Sequence, residues 1–131
     1  MDTWHTGKGY ELYYKDIIDI IKQHSEAGGS VYIGTDSFLT GKRCVFATAI
    51  CLHGGNLTGG RYFIQKNKAC AKKFKVLLSR IMTEVEKTIY FALKVHEDCP
   101  EATIELHLDI GASTAAGATA QYSDMLMGYA K

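Results

Sequence analysis

Two short segments rich in β-branched and aromatic residues constrain the fold of this chain more than any other feature. The first, Val31–Ser37, runs into Gly-Thr-Asp-Ser and carries Asp36 near its end. The second, Thr103–Asp109, ends in Asp109 and continues into Ile-Gly. Runs of this composition that stop at glycine and small polar residues predict strands, each presenting a carboxylate at its tip.

The rest of the chain divides into segments with helical or strand periodicity. Apolar residues spaced by three and four predict helices, and glycine-rich or proline-containing segments end them. Residues 1–9 show no pattern, and we expect them to be flexible. The further predicted elements are helices over 10–26, 71–96 and 118–130 and strands over 43–53 and 61–66, with a turn over 39–42.

The order of these elements predicts how the strands pair. Three consecutive strands form an antiparallel meander, and the long helix returns the chain by a right-handed crossover, so that the fourth strand lies parallel beside the first. Asp36 and Asp109 then meet at one edge of the sheet, where ligands of α/β proteins bind. The predicted fold class is α/β, a mixed sheet flanked by helices and preceded by an extra helix.

Length and composition are those of a soluble domain. The 131 residues suit one domain over 1–131, and the net charge of +1 demands no particular partner. No apolar run approaches the roughly 20 residues that cross a bilayer, so we expect no membrane partner. Four cysteines without a CxxC pair indicate reduced thiols and a cytoplasmic location.

The element order, Gly-Thr-Asp-Ser after the first strand and His-Leu-Asp-Ile-Gly after the fourth together resemble the ribonuclease H-like superfamily and, within it, a bacterial family of YkuK type. The resemblance covers roughly residues 10–131. It implies metal-dependent hydrolysis of nucleic-acid phosphodiester bonds with two Mg²⁺ or Mn²⁺ ions about 4 Å apart. Asp36 would bridge the ions and Asp109 would bind one. A third acid belongs on the long helix, where Glu84 is the candidate and Glu86 the reserve, because periodicity does not separate them.

The chain departs from this family at its end. The superfamily normally continues with a further element that carries a fourth acid, whereas this sequence ends at Lys131, and Asp124 does not match that ligand position. We therefore expect a fold truncated at its C-terminus, as a natural short form, a fragment or a chain that a partner completes. A homo-oligomer is one such arrangement.

Basic residues concentrate around the end of the third strand and in the first turn. Lysines bind phosphates without base specificity, which indicates RNA, DNA or a hybrid as partner. Basic residues at a helix N-terminus also act against the helix dipole, which is an argument for a partner, although each single lysine equally suits a solvated helix start. The residues are Lys42, Arg43, Lys66, Lys68, Lys72, Lys73 and Lys75.

Each candidate has an alternative interpretation. Asp36 also suits a turn, and Glu84 a solvated helix surface. His107 shares a strand face with Asp109, which permits a softer metal such as zinc, but a packed histidine is the commoner case. For the whole chain, the alternatives to a nuclease are a catalytically inactive module that binds nucleic acid or protein and, last, an actin-like ATPase, which needs two such domains.

Overall fold

In the part of the chain that the structure describes, a six-stranded mixed sheet carries two helices on one face. The computed structural model describes residues 3–55, 61–74 and 76–108. The strand order across the sheet is β2-β1-β5-β4-β3-β6. In chain order the elements are β1 (Thr3–Thr6), β2 (Glu11–Tyr13), α1 (Tyr14–Glu26), β3 (Gly29–Thr40), β4 (Arg43–Gly54), β5 (Arg61–Cys70), a 3₁₀ turn (Ala71–Phe74), α2 (Leu77–Asp98) and β6 (Thr103–His107).

The strand pairing predicted from the element order is confirmed. β3, β4 and β5 form the antiparallel meander. β6 lies parallel beside β3, from Ser30 opposite Thr103 to Gly34 opposite His107, with α2 as the crossover. β4, which is apolar on both faces, lies between two neighbours as expected. Asp109 and the helix predicted over 118–130 lie outside the described residues.

Within the segment expected to be flexible, Thr3–Thr6 form a paired strand. β1 pairs with both β2 and β5, and its Trp4 is only 1% exposed. The Trp4 ring packs edge-on against Phe91 of α2, with the ring centroids 5.2 Å apart. A strand of four residues is too short to show a period, and its partner β5 is distant in the chain. The predicted helix over 10–26 accordingly begins later, at Tyr14, because residues before it pair with β1.

The long helix also begins later than its periodicity predicts. β5 continues to Cys70 because its pairing with β4 extends to Arg43, and the Ala71 N–H then donates to the Lys42 carbonyl at 2.9 Å. Phe74 fits the helical spacing, but it belongs to the 3₁₀ turn and packs against Phe46 of β4. Lys68, which follows the strand predicted over 61–66, therefore belongs to β5 together with Lys66.

Both helices pack on the same face of the sheet. His24 of α1 is buried, and its Nε2 lies 3.1 Å from the Ser30 carbonyl oxygen and 2.9 Å from that of His53, which ties α1 to β3 and β4. A Cβ on Gly29 would lie 2.0 Å from His24 Nε2, so this contact requires glycine there. The buried apolar cluster includes Ile17 and Ile21 of α1, Val31 and Ile33 of β3, Ile50 and Leu52 of β4, Phe63 of β5 and Phe91 and Val95 of α2.

The cysteines and helices add two observations. All four cysteines lie in the described residues and are free thiols. Within the described residues, neither helix combines the length and the apolar character that crossing a membrane requires.

Replacement of Trp4 by alanine tests the place of β1 in the core. We expect the free energy of unfolding to fall by about 3–5 kcal/mol, the usual loss for a buried large aromatic side chain. Urea denaturation followed by circular dichroism measures it. Tyr10→Ala is the control, because Tyr10 is 69% exposed and its loss should change stability by less than about 0.5 kcal/mol. Equally small effects in both variants would contradict a core role for β1.

Candidate metal and nucleic-acid site

Asp36 lies on the sheet face remote from both helices, which we call the distal face. Thr35 and Ser37 contact α2, and the side chain between them points the opposite way because strand residues alternate. Asp36 is exposed and lines a depression of about 660 Å³. From the strand register, the distal face carries Tyr32, Gly34, Asp36, Phe38 and Thr40 of β3, Arg43, Val45, Ala47, Ala49 and Cys51 of β4, Tyr62, Ile64, Lys66, Lys68 and Cys70 of β5, and Glu105 and His107 of β6.

Glu84 approaches the same point of β3 from the helix side. The Ser37 hydroxyl donates a hydrogen bond to the Glu84 carboxylate, which is partly buried. Burial raises the pKa of Glu84 above its ordinary value of 4.5, the bond from Ser37 opposes this rise, and the negative charge of Asp36 adds to it. The two carboxylates thus lie on either side of β3 at the same level, close enough for their charges to interact.

Ser37 connects Glu84 to a cation, Arg80, that no sequence pattern singled out. Arg80 Nε donates to the Ser37 hydroxyl oxygen at 3.2 Å, and Arg80 Nη2 donates to the Ser37 carbonyl oxygen at 3.1 Å. The positive charge of Arg80 lowers the pKa of Glu84 but does not cancel the effect of burial. Helical spacing contained a signal for this residue, because Arg80 precedes Glu84 by one turn on α2.

Three threonine hydroxyls behind Asp36 join β4, β3 and α2. Thr35 Oγ1 lies 3.0 Å from Thr48 Oγ1 and 3.0 Å from Thr88 Oγ1. Thr88 Oγ1 is also 2.9 Å from the Glu84 carbonyl oxygen. All three threonines are buried, so their hydroxyl groups satisfy one another. This network holds the backbone at Glu84 at a fixed level relative to Thr35 and hence to Asp36.

The structure distinguishes between the two candidate glutamates of α2. It brings Asp36 and Glu84 together, whereas Glu86 is exposed and lines another depression with Gln65 and Asn67 of β5. Asp109 and Asp124 lie outside the described residues. Within residues 3–55, 61–74 and 76–108, no group of three or more His, Cys, Asp or Glu side chains is placed to hold a metal ion.

The structure also shows where His107 and most of the predicted basic residues lie. His107 is exposed, and its ring lies near that of Tyr32, with the centroids 5.0 Å apart. The register puts Arg43, Lys66 and Lys68 on the distal face with Asp36. Lys42 lies in the turn before β4, and Lys72 and Lys73 in the 3₁₀ turn after β5. The predicted basic group is therefore divided, and Lys75 lies outside the described residues.

The interaction between the two carboxylates can be measured directly. In Asp36→Asn we expect the pKa of Glu84 to fall, because a neighbouring negative charge is removed. In Ser37→Ala it should rise, because the charged carboxylate loses a donor. Titration of the Glu84 side-chain carboxyl carbon by ¹³C NMR measures both shifts. Glu86→Gln is the matched control and should leave the midpoint of Glu84 unchanged. The same midpoint in every variant would show that Glu84 does not interact with Asp36 or Ser37.

Comparison with known proteins identifies the family of this chain. A family model described as Ribonuclease H-like matches residues 13–131, a segment that begins in the last residue of β2 and includes Asp36, Glu84 and Asp109. No curated protein and no solved structure matches the chain significantly. The match spans most of the sequence and agrees with the observed meander and parallel crossover strand. The chain belongs to the ribonuclease H-like family.

Proposed function

We propose that this protein is a nuclease that hydrolyses nucleic-acid phosphodiester bonds with Mg²⁺ or Mn²⁺ held by Asp36, Glu84 and Asp109. The observation that carries the proposal is the pairing of an exposed carboxylate, Asp36, with a partly buried one, Glu84, at one level of β3. Parallel β6 supports it, because His107 lies opposite Gly34 and Asp109 follows His107 by two residues, as Asp36 follows Gly34.

The donor groups fit a hard divalent cation. Mg²⁺ and Mn²⁺ prefer oxygen ligands, and both side chains are carboxylates. Ser37 donates to one Glu84 oxygen, Oε2, whereas a carboxylate has about four lone-pair positions and so retains capacity for a cation. The raised pKa of Glu84 also fits a cation site. A bound cation would offset both the desolvation of the charged carboxylate and its repulsion from Asp36. When bound, such ions activate water and stabilise the leaving oxygen.

The chain's own residues would orient these carboxylates. Ser37 holds Glu84 through its hydroxyl, and Arg80 holds Ser37 through two donors. Thr88 restrains the helix backbone at Glu84 relative to β3. Asp36 remains exposed on the face that carries Lys66 and Lys68, so a phosphate drawn to these lysines would lie near it.

One observation favours the alternative of a catalytically inactive ribonuclease H-like module that binds nucleic acid or protein. Asp36 and Glu84 lie on opposite sides of β3, so one ion shared by both would require the Asp36 side chain or the Ser37–Glu84 contact to move. In such a module, Arg80, Ser37 and Glu84 would serve as a structural connection between α2 and β3.

A cleavage assay separates these functions. The protein is incubated with RNA–DNA hybrid, single strands, duplexes and branched DNA in Mg²⁺, Mn²⁺ or EDTA. We expect cleavage only with metal, and a loss of more than about 100-fold in Asp36→Asn and Glu84→Gln, beyond the effect usual for residues that only support metal ligands. Glu86→Gln, a matched change on an exposed acid of the same helix, should retain activity.

A metal-binding measurement complements the assay. Mn²⁺ should raise the melting temperature of the native protein and of Glu86→Gln but not that of Asp36→Asn, because binding to the folded state alone stabilises it. Nucleic-acid binding without cleavage, unchanged in Asp36→Asn and accompanied by no Mn²⁺ effect, would instead support the inactive module.

A further inference from the structure

We propose that the distal face binds single-stranded nucleic acid, with phosphates along β4 and β5 and bases stacked on the aromatic side chains around the depression beside Asp36. The inference deepens the proposed function, on which it rests for the role of Asp36. It concerns the kind of strand that this face accepts. Charge complementarity and the arrangement of aromatic residues on the face carry it.

The cations of the distal face are grouped at the Asp36 end of the sheet. The register aligns Lys66 with Ala47 and Asp36 in one cross-strand row and Lys68 with Val45 and Phe38 in the next. Arg43 lies one row further, opposite Thr40. Lys66 and Lys68 are about 7 Å apart along the strand, since each residue advances about 3.3 Å. All three cations, which we call the basic strip, are exposed and can bind a phosphate backbone across successive rows.

The aromatic side chains flank the depression on either side of Asp36. Phe38, which is 45% exposed, lies in the row of Lys68. Tyr32 lies towards the other end, with its ring near those of His107 and His53 at centroid distances of 5.0 and 5.5 Å. Tyr62 is 44% exposed and lies opposite Cys51. Aromatic side chains beside a basic strip are the combination that binds single strands, because every base can stack on a ring.

The floor between these rings is made of small residues. Gly34, Ala47 and Ala49 line the depression of about 660 Å³ together with Asp36. Their small side chains leave room for flat groups close to the sheet. Glu105 lies at the end remote from the three cations and interacts with Tyr32, whose pKa it raises through a hydrogen bond. Among the described residues of β3 to β6 on this face, the acidic side chains are Asp36 and Glu105, and only Asp36 lies near the cations.

Stacking rather than charge selects a single strand. The lysines would attract any phosphate backbone, whereas the bases of a duplex are stacked on one another and cannot reach side chains. A single strand laid from Phe38 towards Tyr32 would place its backbone along Lys68 and Lys66. Asp36 lies between Phe38 and Tyr32 on β3, in the row of Lys66, and so would adjoin this path. RNA and DNA present the same phosphates and base faces, so both strand types are compared in the test.

The test is fluorescence anisotropy with labelled RNA and DNA single strands of about 12 nucleotides, in EDTA to prevent cleavage. Lys66→Ala/Lys68→Ala should weaken binding and reduce the slope of log affinity against log salt concentration by about 1.4, at about 0.7 for each phosphate contact. Phe38→Ala should weaken binding about 5- to 150-fold without changing the slope. The matched control is Lys15→Ala/Lys22→Ala, which removes the same charge from exposed positions on α1 and should change neither quantity.

Three outcomes would overturn the inference. Equal binding of a duplex, unaffected by Phe38→Ala, would leave only charge attraction. Unchanged affinity in the Lys66→Ala/Lys68→Ala variant would show that these lysines do not bind the phosphates. A concentration-dependent dimer that Phe38→Ala dissociates would assign the face to a second copy of the chain. Failure of the nuclease proposal is distinguishable, because cleavage could be absent while binding behaves as described, and metal-dependent cleavage could persist while binding does not depend on these residues.

Discussion

The alternation of side chains at Thr35, Asp36 and Ser37 determines the arrangement of the whole site. β3 pairs with β4 along its full length and with β6 beside its first half, so its orientation about its own axis is closely restrained. Thr35 and Ser37 must then face α2, where Thr88 and Glu84 receive them. Asp36 is consequently turned to the distal face. A shift of one residue in register would exchange these roles.

The same alternation divides the electrostatics between the two faces. On the helix side, Glu84 is partly desolvated and held by Ser37, which Arg80 holds in turn. Burial raises its pKa more than any neighbouring charge shifts it. On the distal side, Asp36 is exposed among cations of β4 and β5. In the proposed function, the helix side therefore positions a carboxylate, and the distal side receives the nucleic acid. In the proposed nuclease, β3 is the element that joins these two tasks.

Sequence patterns predicted those parts of the fold that depend on local periodicity and on connection rules. The meander and the parallel strand followed from element order and the handedness of crossovers. The hairpin of β1 and β2 did not, because its four- and three-residue strands carry no period and Trp4 is buried by residues from β5 and α2. The start of α2 was predicted too early because Phe74 continues the helical spacing although β5 pairing governs the preceding backbone.

The sequence by itself determined the fold class, the family resemblance and the choice of Asp36, because strand ends, glycines and element order are local features of the chain. Tertiary structure alone decided that Glu84 rather than Glu86 lies beside Asp36, that Ser37 and Arg80 hold it, and that Lys66 and Lys68 share a face with Asp36. Helical periodicity placed both glutamates at similar angles from the apolar stripe, and only packing against β3 separated them. Which lysines meet which acid depends on register between strands distant in sequence, and register is set by the burial of whole faces.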